Sequence, residues 1–176
     1  MIRVGINASR ARSGGAVSHL VGLLGEVDPA SHGVQSIDCW SYDALLDHLP
    51  DRPWLNKRST GRAQGSLAQE LLWERFSLDR QARASAIDIL FNVDAGSVCR
   101  FHPAVTMSQD MLSYEPGEIG RYGYGKARAR LVALRHVQNA ALRSAEGAIF
   151  LTRYAADMIQ QSCGTLANVA IIPHGV

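Results

Sequence analysis

The chain alternates between short apolar runs and longer segments in which apolar residues recur at helical spacing. Short runs rich in β-branched and aromatic residues predict buried strands, whereas a period of about 3.6 residues predicts amphipathic helices. Strands are expected at 2–7, 34–41, 87–92, 104–108, 147–151 and 169–172, and helices at 16–26, 66–83, 126–145 and from Thr152 to Cys163.

This order of elements predicts the fold class. Strands that alternate with helices favour an α/β fold, in which a mostly parallel, doubly wound, Rossmann-like sheet is covered by helices on both faces. In such sheets ligands bind beyond the carboxyl ends of the strands, so the loops after those ends are the candidate binding regions. Residues 50–65 contain two prolines, two glycines and several charges, and they are predicted to form an exposed connection.

Composition narrows the class of protein. The 176 residues are 47% hydrophobic and 19% charged, which is ordinary for a soluble globular domain. The three cysteines are widely spaced and the six histidines lack metal-ligand spacing, so neither a disulfide scaffold nor a metal site is expected. No apolar run is long enough to span a bilayer and no signal-peptide pattern opens the chain, which predicts a cytoplasmic location.

Two loops are candidates for chemistry. Gly14 and Gly15 precede the first helix, where open backbone N–H groups at a positive helix end suit a phosphate or a sugar. An ordinary glycine turn is the alternative, because the pattern is neither GxGxxG nor a Walker A loop. Gln109 and Asp110 follow the strand at 104–108, where they can either reach a ligand or, in the case of Asp110, cap the next turn.

A basic stretch extends from Arg121 to Arg143 without an acidic residue. A solvated helix face is the simplest interpretation, and a bilayer or lipid phosphate is the sharper alternative. Nucleic acid is not expected as a partner, because the helix has no interleaved aromatic residues for base stacking. Glu70 and Glu74, four residues apart, are predicted to be surface charges. The candidate acceptor or membrane contacts are Arg121, Lys126, Arg128, Arg130 and Arg135.

Four segments, in this order, resemble the N-terminal half of glycosyltransferase family 4, the retaining enzymes with two Rossmann-like domains (the GT-B fold). They are Ile2–Ile6 with the glycine pair, Val105–Leu112, Ala148–Ala155 and Val169–Val176, the last with the sequence Val-Ala-Ile-Ile-Pro-His-Gly-Val. The sequence Gln-Asp-Met-Leu from Gln109 is most similar to bacterial mannosyltransferases that build O-antigens and related surface polysaccharides, including lipopolysaccharide.

The resemblance implies transfer of a sugar, with mannose from GDP-mannose as a candidate, to a lipid-linked or polysaccharide acceptor. It implies retention of configuration without a metal or cofactor, at the inner face of the plasma membrane. The glycine pair would lie beside the donor phosphates, and Gln109 and Asp110 would contact the sugar or the acceptor. Many members have His where Gln109 stands, and an amide does not titrate near neutral pH, so a positioning role is favoured.

The resemblance also implies a division of labour between domains. Residues 1–176 would form the acceptor-side domain, and the partner nucleotide-sugar domain, with its basic pair and Glu-x7-Glu segment, is absent from this chain. We therefore expect no sugar transfer by this chain alone. The alternatives are an NAD-type dinucleotide-binding oxidoreductase domain, which the missing GxGxxG pattern disfavours, and a non-catalytic binding domain.

Overall fold

The computed structural model describes residues 1–11, 15–61 and 65–173. The chain divides into two compact units. The first unit comprises Met1–Val93 and Val98–Ala104, and the second comprises Asp94–Ser97 and Val105–Val176.

The first unit is built on parallel strands that end at a common edge. Asn7, the last residue of its first strand, is paired in register with Trp40 on one side and Asn92 on the other. The residues that follow these strands therefore leave the sheet close together, at the carboxyl ends of the strands. The strands, in chain order, are β1 (Ile2–Asn7), β2 (Val34–Ser41), β3 (Leu55–Ser59) and β4 (Ile89–Asn92).

Helices cover both faces of this part of the sheet. On one face α1 (Gly15–Glu26) and the short α2 (Asp43–Leu46) pack on a core that includes Ile6, Leu20, Leu24, Ile37 and Leu45. On the other face lies a continuous helical segment made of α3 (Leu67–Leu72), a π-helical turn (Trp73–Leu78) and α4 (Asp79–Ala84). Its core partners include Trp40, Leu90, Phe101 and Ala104.

The second unit repeats the alternation of strand and helix. Its core is formed by residues that include Tyr114, Leu142, Phe150, Ala156 and Ile159. Its strands, β5 (Ala104–Ser108), β6 (Gly147–Phe150) and β7 (Val169–Ile171), pair in parallel, and its helices are α5 (Glu118–Arg121), α6 (Lys126–Ser144) and α7 (Arg153–Cys163).

The predicted α/β class is confirmed. The strand order along the sheet is β3-β2-β1-β4-β5-β6-β7, a parallel arrangement of the Rossmann-like type. The predicted strands and helices all form, with ends shifted by at most two residues in the strands.

The exposed connection predicted at 50–65 is wrong, because it contains β3. This strand lies at the edge of the sheet, and within it only Leu55 is buried while the polar residues that follow are partly or fully exposed. An edge strand needs no continuous apolar run, so the hydrophobic pattern did not reveal it. The short α2 and α5 were also not predicted.

The prediction that Glu74 is a surface charge is wrong as well. Its side chain is buried, with 1% of the residue exposed, whereas Leu72 and Phe76 on the same helical segment are exposed. The core-facing residues are Trp73 and Leu78, five positions apart, which is the i→i+5 hydrogen-bond spacing of a π-helical turn. The α-helical spacing of three or four residues therefore predicts the wrong buried face for this segment.

We predict that Gly5→Ala destabilises the first unit. A Cβ atom at Gly5 would lie 2.9 Å from Leu90 Cδ1 and 3.0 Å from Trp40 Cζ3, and both side chains are fully buried. The free energy of unfolding should fall by about 1–3 kcal/mol in urea titrations. Gly22→Ala is the matched control: its Cβ meets nothing within 4 Å, and it should raise stability by about 0.5–1 kcal/mol. Equal effects at the two sites would contradict the packing argument.

Candidate functional site

Two asparagines end neighbouring strands of the first unit and share a buried hydrogen-bond cluster. Asn7 Oδ1 accepts from the backbone N–H of Ser9 at 3.4 Å and from its hydroxyl at 2.8 Å. Because a backbone N–H can only donate, this fixes the orientation of the Asn7 amide. Asn7 Nδ2 therefore donates to Asn92 Oδ1 at 3.0 Å and to Glu74 Oε1 at 2.5 Å.

Glu74 enters this cluster from the π-helical turn. Its second carboxylate oxygen, Oε2, accepts from the backbone N–H of Val98 at 3.3 Å. Both oxygens thus face N–H donors, which is the arrangement that suits an ionised carboxylate. Sequence reasoning missed this cluster, although one signal was present: Asn7 and Asn92 are polar residues at the ends of apolar strands.

The glycine loop follows β1 in the same unit. Gly14 lies outside the described residues, and Gly15 is the first residue of α1 and is exposed. A Cβ at Gly15 would meet nothing within 4 Å, so packing does not require glycine here. The first turn of a helix has backbone N–H groups without intrahelical partners, and the absence of a side chain leaves them open to a ligand.

In the second unit, Gln109 and Asp110 follow β5 directly, as predicted. Gln109 is half-buried and Asp110 is exposed. Asp110 Oδ1 accepts from the backbone N–H of Leu112 at 2.8 Å, so the carboxylate caps the following turn. Ligand contact by Gln109 and Asp110 stays a prediction.

The turn after Asp110 is anchored by buried neutral groups. The Ser113 hydroxyl donates to Gln138 Oε1 at 3.1 Å, and the Tyr114 hydroxyl donates to Asn139 Oδ1 at 2.9 Å. Burial raises the pKa of Tyr114, which keeps this hydroxyl a donor. Asn139 Nδ2 in turn donates to Ser162 Oγ at 3.0 Å, which connects the turn to both α6 and α7. The backbone that leaves β5 is thus fixed to two helices of its unit.

The start of α7 lies at the same edge of the second unit. Ser108 and Phe150 are partners in the register of β5 and β6, so the residues that follow both strands leave the sheet together. Thr152 is the N-cap of α7, and its Oγ1 accepts from the backbone N–H of Ala155 at 3.0 Å. The exposed guanidinium of Arg153 follows this cap. This edge therefore offers an amide, a carboxylate and a cation to a polar ligand.

The basic stretch contains exposed cations and an exposed aromatic ring. Arg121 forms an ion pair with Glu118 at 2.5 Å, which partly offsets its charge. The Arg128 guanidinium lies 4.9 Å from the centroid of the Tyr124 ring, and Tyr124 is 99% exposed. We use the name basic surface for Tyr124, Lys126, Arg128, Arg130 and Arg135.

Two absences hold over residues 1–11, 15–61 and 65–173. In these ranges no group of three or more His, Cys, Asp or Glu side chains is arranged to hold a metal ion. Within the same ranges, none of the helices combines the length and the apolar character needed to cross a bilayer.

Two crystal structures of Anabaena Alr3699/HepE are similar to this chain. The first, in complex with UDP and glucose, has a TM-score of 0.56 and 15% identity, with 100% of this chain and 45% of that chain covered. The second, in complex with UDP, has a TM-score of 0.55 and 16% identity, with 100% and 44% covered. The chain thus spans less than half the length of these structures. At this identity the likeness shows the fold. No family model and no curated protein sequence matches the chain.

Proposed function

We propose that this chain is the acceptor-side part of a nucleotide-sugar-dependent glycosyltransferase. The observation that supports this most is the structural match along 100% of the chain to a protein crystallised with UDP and glucose. The polar residues that follow β1, β4 and β5 agree with it, because Rossmann-like sheets bind ligands beyond the carboxyl ends of their strands.

In this proposal each of the two candidate loops has its own role. Gly15 lets the donor phosphates approach the open N–H groups at the start of α1. Gln109 and Asp110 hydrogen-bond to the sugar or the acceptor, and the anchored turn after them keeps the backbone in place. Gln109 acts by orientation, since an amide cannot transfer a proton near neutral pH. Transfer proceeds with retention and without a metal.

The donor and the acceptor are narrower parts of the proposal. The UDP of the similar structures makes a UDP-sugar the first donor to test, and GDP-mannose follows from the sequence resemblance. The acceptor is a lipid-linked or polysaccharide glycan of bacterial surface synthesis. Because this chain spans 45% of the length of the similar structure, we assign the activity to a whole protein with a nucleotide-sugar domain and expect none from this chain alone.

Nucleotide-sugar binding should be visible at the strand ends of this chain. We predict that UDP-glucose or GDP-mannose at high concentration shifts the backbone amide resonances of Gly15 and Gln109 in a titration of the isotope-labelled chain. The affinity should be low, because the nucleotide-sugar domain that supplies most of the donor contacts is absent. Gly15→Ala should weaken the response at residue 15 without lowering the melting temperature, because its Cβ has open space around it. Gly22→Ala, also on α1, is the matched control.

NAD⁺ serves as the comparison ligand in the same titration. Responses to either nucleotide sugar, but not to NAD⁺, support the proposal. A response to NAD⁺ alone would contradict it. The same holds if neither nucleotide sugar shifts the amide resonances of the residues that follow β1 and β5.

The basic surface is proposed to contact the bilayer that holds the acceptor. Arg130 and Lys126 are exposed, and the Tyr124 ring presents an aromatic group of the kind that settles at a membrane interface. Basic residues near an anionic bilayer add about 1 kcal/mol each, so several cations along one helix that approach the bilayer give reversible attachment.

We predict that replacing Arg128, Arg130 and Arg135 with Ala lowers the partition coefficient onto phosphatidylglycerol vesicles by about a hundredfold in sedimentation assays. A control with the exposed Arg52, Arg80 and Arg100 replaced by Ala removes the same number of cations elsewhere and should bind nearly as well as the parent. Equal losses in the two variants would assign the binding to net charge, and no binding by the parent would remove the contact from the proposal.

A further inference from the structure

We propose that Glu74 is a positioning residue that holds the segments leaving β1 and β4 in the arrangement needed for substrate binding. The inference rests on the proposed function, because the substrate site it serves is the sugar-transfer site. Glu74 is 1% exposed, so it does not touch the substrate and acts only through the residues that it holds.

The chemistry of the cluster requires a carboxylate at this position. Oε1 accepts from Asn7 Nδ2 and Oε2 accepts from the Val98 N–H, so both partners are donors. A glutamine side chain presents one oxygen and one NH2 group. In either orientation, its NH2 group would face a donor, and one of the two contacts would be lost.

These two contacts reach both segments that leave the sheet. The carboxylate accepts from Asn7 and so holds the Asn7 amide in its orientation. Oδ1 of that amide accepts from the N–H and the hydroxyl of Ser9, which belongs to the segment that follows β1. Through the Val98 N–H the carboxylate holds the backbone beyond β4. One side chain therefore sets the positions of two segments that are 24 and 67 residues away from it in sequence.

Stability alone does not account for this carboxylate. Burial of an ionised group is unfavourable, and well-packed apolar replacements of buried charges are often neutral or stabilising. The π-helical turn also adds a residue to the turn that presents Glu74, and such turns are frequent at functional sites. Placement of the two segments explains both observations.

The test compares Glu74→Gln with Glu26→Gln, an exposed glutamate on α1 of the same unit. Amide hydrogen exchange at Ser9 and Val98 should become about tenfold faster in Glu74→Gln and stay unchanged in Glu26→Gln, with exchange in β6 unaltered in both. The affinity for UDP-glucose, measured from the Gly15 amide shift, should weaken about tenfold in Glu74→Gln only. Glu74→Asp keeps both acceptor oxygens at shorter reach and should recover part of that affinity.

Unchanged exchange at Ser9 and Val98 in Glu74→Gln would overturn the proposal. Faster exchange with unchanged UDP-glucose affinity would overturn it too, because Glu74 would then be a structural residue only. If Glu74→Gln does not fold, Glu74→Asp gives the same comparison with Glu26→Gln. If the Gly15 amide of the unsubstituted chain does not respond to UDP-glucose, the proposed function is refuted. Because that result involves no substitution, it is distinct from a failure of the Glu74 proposal.

Discussion

A negatively charged side chain buried at the ends of two parallel strands is the constraint on which the binding edge of the first unit depends. Asn7 and Val98 donate to the two oxygens of Glu74, which is the arrangement that suits an ionised carboxylate. The same donors fix the amide of Asn7, and that amide in turn fixes Ser9. The helix satisfies this requirement and still buries Trp73 and Leu78, because the π-helical turn directs both of these core residues to the buried face.

The second unit anchors the backbone beyond its strand in a different way. The turn after Asp110 is held by neutral hydrogen bonds from Ser113 and Tyr114 to α6. Neutral hydrogen bonds contribute about 1 kcal/mol each, and bonds to a charged group about 1.5–3 kcal/mol. In the first unit one carboxylate holds the backbone beyond the strands, whereas in the second unit several amides and hydroxyls share this role. In both, rigid elements support segments that are otherwise exposed, which is the arrangement expected where a ligand must meet a prepared site.

Much of this fold could be predicted from the sequence because buried parallel strands are continuous apolar runs, and those runs mark β1, β2, β4, β5, β6 and β7. The position of Gln109 and Asp110 after a strand followed from the same pattern. The edge strand β3 could not be found in this way, since its exposed side chains are polar. Glu74 was assigned to the surface because helical spacing assumes three or four residues per step, and no residue type marks a π-helical turn. Contacts such as that between Glu74 and Val98 depend on tertiary packing, which periodicity does not describe.

The central claim is that the buried cluster is retained to prepare a binding edge and not to stabilise the fold. Its most direct test is the free energy of unfolding of a variant in which the cluster is made apolar at nearly constant volume, with Asn7→Val, Glu74→Met and Asn92→Val combined. The account predicts a folded chain within about 3 kcal/mol of the parent in urea titrations, since the Val98 and Ser9 N–H groups lose their acceptors. Its Gly15 amide should no longer respond to UDP-glucose. A variant that loses several kcal/mol of stability, or that keeps its response to UDP-glucose, would contradict the account.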